Sequence, residues 1–187
     1  MNKEAMRAEA RMRLAALTSA ERHAASAVIA AHVWEIPEIA SARTLMIYSP
    51  IQTEVDTAAI AAEATRRGID LVYPRCLPET RAMVLHRVAG PEALREGSFG
   101  IREPDPACPV TEVRKVEAAL VPGLAWDRHA ARLGRGEGYY DRLFASENWK
   151  GFRCGLFFAA QEFHRLASNR FDAPLDAVVT EQGVIRF

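Results

Sequence analysis

Apolar positions along the chain recur with two different periods. Between residues 2 and 17, Met6, Ala10, Leu14 and Leu17 fall at helical spacing among Ala, Arg, Glu and Met, which favour helix, and predict a first helix. Lys3, Arg7 and Arg11 stand at i, i+4 and i+8 on a neighbouring face, a basic row that a solvated surface would explain by itself. Thr18 with Glu21 has the spacing of a capping box. It opens a second helix to about Val33, with Val28, Ile29 and Val33 expected inside and Pro37 expected to end the region.

Short apolar runs then alternate with helical pattern. Leu45 to Tyr48 reads as a buried strand, Asp56 or Thr57 as the cap of a helix through Arg67, Gly68 as its stop, and Ile69 to Tyr73 as the next strand. That is a βαβ unit, with a parallel pair and a right-handed crossover. Met83 to Val88 reads as a further strand, a hairpin arm, followed by a helical turn around Pro91 to Glu96. An irregular connection is expected over Phe99 to Pro104 and a loop over residues 106–115. Ala118 to Val121 and Cys154 to Phe158 are continuous apolar runs, hence buried strands; Phe163 to Leu166 suggests a turn or short helix. Ala177 to Thr180 and Val184 to Phe187 form a closing pair. The expected fold is α/β, a mainly parallel central sheet with helices on both faces, a Rossmann-like three-layer architecture in a single domain over residues 1–187.

The stretch from Val121 to Leu143 departs from this alternation. It joins a strand end, Pro122-Gly123, a lone Asp127, Arg132, Arg135 and glycines at 134, 136 and 138, then Tyr139-Tyr140-Asp141. Closely spaced glycines belong where φ is positive or where a ligand meets the main chain, and free amides there suit an anion. A helix over 138–145 would present its N-terminus to the same ligand. Arg132 and Arg135 add forks for phosphate oxygens, and Asp141 a carboxylate for a divalent cation brought by polyphosphate. The spacing excludes both the G-x-G-x-x-G dinucleotide fingerprint and the Walker loop. Functional loops of open α/β sheets follow strand ends, which makes Glu54, in the loop Ser49 to Val55, a second candidate.

Length and charge narrow the partners. The chain has 187 residues, with 24 basic and 24 acidic side chains and no net charge, which argues against general nucleic-acid or anionic-membrane binding. Cys76, Cys108 and Cys154 are odd in number and far apart; they predict neither a disulfide frame nor a zinc site and suit a reducing compartment. Neither a membrane-spanning apolar run nor a signal-peptide core is present in the sequence, so a cytoplasmic protein is expected. His23, His32, His86, His129 and His164 show no metal-ligand spacing, and Asp172 and Asp176 alone would be turn or capping residues.

PGLAWDRHAARLGRGEGYYDR, residues 122–142, resembles the signature of the 5-formyltetrahydrofolate cyclo-ligase family, also called 5,10-methenyltetrahydrofolate synthetases. Lys3 and Arg7 on the first helix, SPIQTEVDT at 49–57, FGIREP at 99–104 and FDAPLDAVVTE at 171–181 follow in the family's order, so the likeness spans nearly the whole chain. It implies ATP- and magnesium-dependent closure of 5-formyltetrahydrofolate, polyglutamylated or not, to 5,10-methenyltetrahydrofolate with release of ADP and phosphate, by a monomer. By that resemblance Lys3 and Arg7 hold ATP phosphates, and Arg132, Leu133, Gly134, Arg135, Gly136, Glu137, Gly138, Tyr139 and Tyr140 form the nucleotide loop. Ser49, Glu54 and the segment Arg135 to Tyr139 meet the folate. Arg135, Glu54 and Tyr139 carry the chemistry, and Asp141 with Asp172 serves magnesium. Tyr48 and Trp126 are placed to pack on the pterin. Alanine at 125 and 130, where the family has glycine, puts a methyl group into a turn that would resist positive φ. Competing readings are a non-catalytic folate- or nucleotide-binding paralogue and, by fold analogy, an isomerase or acyl-transfer protein needing no ATP.

Overall fold

In the computed structural model, residues 1–90, 93–97 and 100–187 are described. The first helix, α1 (Lys3–Ala16), is capped by the Asn2 side chain and buries Met6, Ala10 and Leu14, as its apolar stripe predicts; Leu17 caps its end and is half-buried. The Thr18–Glu21 capping box opens α2 (Ser19–Val33). Its inner face is Ser26, Ile29, Ala30 and Val33, whereas Val28 is 43% exposed and lies outside the expected stripe. Pro37 does not end the region. It occupies the first turn of a short helix, α3 (Pro37–Ala40), where its missing N–H is no loss.

The βαβ unit forms as expected. Strand β1 (Thr44–Met46) leads through the loop to α4 (Ala58–Arg66), whose N-cap position is Thr57 and whose Ala58 N–H donates to Asp56 Oδ1 at 2.9 Å, and on to β2 (Asp70–Leu77), parallel to β1. Gly68 takes φ +74 at the stop. Antiparallel to β2 runs β3 (Ala82–Arg87), the hairpin arm. Pro91, Glu92 and Phe99 lie outside the described residues. Residues 94–96 are not helical: β4 (Leu94–Glu96) pairs with β5 (Arg102–Pro104), so the second half of the expected irregular connection is a strand. Within the expected loop at 106–115, β6 (Val110–Thr111) pairs with β3, and residues 113–115 make a 3-10 turn.

Strand β7 (Ala118–Val121) is followed by two short strands that no local pattern announced, β8 (Ala125–Asp127) and β9 (Arg132–Leu133), and then by α5 (Tyr139–Phe144). Next come β10 (Phe152–Leu156), β11 (Glu162–Phe163), β12 (Ala177–Thr180) and β13 (Gly183–Arg186). Phe163 therefore belongs to a strand, not to a turn or helix. It pairs with Asp127 in a small sheet ordered β11-β8-β9.

Among the described residues the main sheet has eight strands in the order β13-β12-β10-β7-β1-β2-β3-β6, and the five from β12 to β2 are parallel. Alternation along them builds two cores. Leu45, Leu71, Ala118, Leu120, Cys154 and Val179 face the side covered by α1 to α4; Met46, Val72, Ala119, Val121 and Val178 face the side of Leu143, Phe144 and Trp149, beside α5. This is the expected three-layer α/β architecture, and each fully buried Leu or Val contributes about 1.5–3 kcal/mol. Chain order runs β1 to β2 in one direction across the sheet and then returns to β7 on the opposite side of β1. The switch point between β1 and β7 is where such sheets open a ligand crevice at the strands' carboxyl ends.

Candidate active site

A cleft of about 1010 Å³ lies at that crevice. The loop after β1 contributes Tyr48, Ser49, Ile51 and Glu54, and the chain after β7 contributes residues 132–142; α1 adds Lys3 and Arg7, and the segment 169–174 closes one wall. Thus every residue assigned to a substrate, nucleotide or metal, Trp126 excepted, lines one cavity, although they come from four separate parts of the chain.

The loop after β9 is built on its glycines. Gly136 has φ +126 and Gly138, which caps α5, φ +70, both in the region that penalises a side chain. The main-chain N–H groups of Arg135, Gly136, Glu137, Gly138, Tyr140 and Asp141 donate to no protein acceptor among the described residues. With only six residues in α5, these amides and the adjoining side chains supply the positive character, and a long helix dipole does not. Arg7 reaches from α1 to donate from Nε to the Gly134 carbonyl at 3.0 Å, fixing the helix to the loop.

Two carboxylate–cation pairs organise the cleft further. Arg135 Nη2 stands 3.1 Å from Glu54 Oε1, joining the loops after β1 and β9; the Glu54 side chain is only 9% exposed, that of Arg135 43%. Burial pushes the Glu54 carboxyl above its ordinary range, while the Ile51 N–H and Arg135 pull the other way. Such an internally opposed carboxyl at a cleft wall is suited to meet protons or nitrogens of a ligand. On the far side, Lys3 Nζ sits 2.6 Å from both Asp172 carboxylate oxygens.

Arg132 is arranged differently from the open phosphate fork expected of it. Its side chain is 3% exposed and bonds Asp141 Oδ1 at 3.0 Å, with its guanidinium carbon 5.2 Å from the Tyr140 ring centroid. It therefore orients Asp141 from beneath the cleft. Asp141 Oδ1 also accepts from the Ala173 N–H at 3.3 Å, while Oδ2 has no hydrogen-bond partner among the described residues. Leu133 is buried and offers main chain to the loop: its carbonyl accepts from the Leu124 N–H at 2.7 Å. Among the described residues no group of three or more His, Cys, Asp or Glu could hold a metal ion. Asp141 and Asp172, the carboxylates expected to serve magnesium, both line the cleft.

The aromatic expectations divide. Tyr48 lines the cleft, its hydroxyl donating to the Val55 carbonyl at 3.0 Å, and burial raises that hydroxyl's pKa. Trp126 does not. It is 1% exposed in the core beside α5, 6.5 Å from the Phe157 ring, because the β8 register turns it away from Ala125 and Leu133. Ala125 is an ordinary strand residue, but Ala130 takes φ +66, the glycine-like geometry its methyl group resists.

Several supporting residues were missed. Asp127, 1% exposed, accepts at Oδ1 from the N–H groups of His129 and Ala131 and at Oδ2 from that of Leu166, so it fixes the turn carrying Ala130. The signal was its isolation among apolar residues ahead of a loop. Arg142 donates to the carbonyls of Arg81 and Glu137, tying the β2–β3 hairpin to the glycine loop, and nothing local in the sequence indicates it.

A mainly parallel sheet whose switch-point cleft gathers a buried carboxylate, fixed arginines and unpaired amides defines an α/β enzyme. The chain belongs to the 5-formyltetrahydrofolate cyclo-ligase family, whose family model matches residues 1–181. The 5-formyltetrahydrofolate cyclo-ligase of Haemophilus influenzae is 26% identical over 178 residues, spanning 92% of this chain and 94% of its own. The Mus musculus protein of that name is 27% identical over 189 residues, spanning 96% and 93%. The solved Aquifex aeolicus 5,10-methenyltetrahydrofolate synthetase matches with a TM-score of 0.86 at 32% identity, covering 100% of this chain and 93% of that one.

Proposed function

We propose that the protein closes 5-formyltetrahydrofolate to 5,10-methenyltetrahydrofolate in an ATP- and magnesium-dependent reaction. The formyl oxygen takes the γ-phosphoryl group from ATP, releasing ADP; N10 then bonds to the activated carbon and gives up its proton, and the C–O bond breaks to release phosphate. An amide-like oxygen leaves readily only once phosphorylated, so the protein's task is to position the groups and neutralise charge.

Lys3, Arg7, the amides from Arg135 to Asp141 and the Arg135 guanidinium are assigned to the triphosphate, and Glu54, Ser49 and Tyr48 to the pterin side. Asp141, held by Arg132, and Asp172 would hold magnesium, which would screen the phosphate charge. The single observation that carries this reading is the 3.1 Å Arg135–Glu54 pair, which joins the proposed phosphate loop to the proposed folate loop in one cleft. A cytoplasmic setting, which the three free thiols suit, and action as a monomer belong to the same proposal.

Purified protein mixed with 5-formyltetrahydrofolate, ATP and magnesium should form the methenyl product, followed by its absorbance. Binding of both ligands without product would favour a non-catalytic paralogue, and product without ATP would reject the phosphorylation step.

A further inference from the structure

Phe171 is 69% exposed. Lone exposed apolar side chains are ordinary, but among the large exposed ones, Met1, Met12, Val28, Val110, Phe171 and Phe187, it alone lines the cleft. Its position is fixed on the Lys3 side. The Phe171 N–H donates to Asn169 Oδ1 at 2.8 Å, the Asn169 N–H donates to Asp172 Oδ2 at 2.7 Å, and Asp172 holds Lys3. The Arg170 guanidinium lies over the ring with its central carbon 4.7 Å from the centroid. An aromatic face backed by a cation, kept in water at the wall of the cleft, is a stacking platform for a flat, electron-rich ring.

We propose that Phe171, with Arg170 against it, stacks the nucleobase of the nucleotide whose phosphates Lys3, Arg7 and the glycine loop receive. The inference rests on the ATP reading above and extends it to a residue which the motif at 122–142 does not contain. The pterin is the other flat ring in the reaction, but Phe171 adjoins Asp172 and Lys3, the proposed phosphate side. The pterin's apolar wall is supplied by Tyr48, Ile51 and Met83.

Calorimetry in the presence of magnesium separates base from phosphate by comparing ATP with inorganic tripolyphosphate. Phe171→Ala should weaken ATP binding roughly tenfold, within the range for one base removed from an aromatic, and leave tripolyphosphate binding unchanged. Phe171→Trp should restore ATP affinity and show ATP-dependent fluorescence quenching beyond that of the parent chain. In steady state the alanine variant should raise the KM for ATP and not that for the folate. Equal weakening of ATP and tripolyphosphate, unchanged ATP affinity, or a raised folate KM alone would overturn the proposal. A parent chain that binds neither probe would remove the nucleotide reading itself, and this inference with it; a parent that binds ATP indifferently to residue 171 removes only the inference.

Discussion

Arg135→Ala isolates charge neutralisation from folding. The guanidinium is 43% exposed and its one carboxylate partner, Glu54, is 9% exposed, so the pair lies between a surface and a buried ion pair. Its loss should cost about 1 kcal/mol of stability, near the upper end for an exposed pair and well below the cost of breaking a buried one. The transition state should lose more. Removal of one donor aimed at developing charge costs about 2–4 kcal/mol, a turnover lower by roughly thirty- to a thousandfold. The variant also removes a cation that lowers the Glu54 pKa. Because burial raises that pKa, the destabilising penalty is absent below the ordinary carboxylate pKa and full above the raised folded value. Arg135→Ala should extend the penalty upward in pH and shift the acidic limb of the rate profile to higher pH. The assays are urea unfolding beside methenyl formation across pH. An unchanged rate, or a rate loss matched by an equal loss of stability, would refute the role given to Arg135.

Three other outcomes are expected. Lys3→Ala should raise the KM for ATP more than that for the folate in initial-rate assays; equal effects would detach α1 from the phosphates. Ala130→Gly relieves a methyl group at φ +66 and should stabilise the fold by about 1 kcal/mol, raising Tm by roughly 2–4 °C in a domain of this size; an unchanged or lower Tm would mean the turn bears no strain. Burial and the neighbouring Glu103 raise the Cys76 thiol to about 12. Only the thiolate reacts, so alkylation at pH 8 should be about a thousandfold slower than for a thiol at its ordinary pKa of 9.0; rapid labelling of Cys76 traced by mass spectrometry would contradict its environment.

The parallel strands were legible because a strand covered on both faces must be apolar throughout, as Ala118 to Val121 is. The hairpin β2–β3 and the capping box followed from equally local rules. The sheet β11-β8-β9 did not, since its strands hold two or three residues and Phe163 meets Asp127 only through long-range pairing. That register also decides that Trp126 enters the core and not the cleft. Residues proposed to touch ligand carried a motif, whereas those that hold them did not. Arg132 looked like a phosphate fork because a sequence does not display the α5 turn that brings Asp141 to 3.0 Å. Glu54 and Arg135, 81 positions apart, meet only because the strand order across the sheet reverses at β1, which sets β7 beside it.

Substrate labelled with heavy oxygen in its formyl group tests phosphorylation of that oxygen most directly. Turnover with ATP and magnesium, followed by mass spectrometry of the released phosphate, should find the label in phosphate in step with methenyl product. Unlabelled phosphate accompanying product would contradict it.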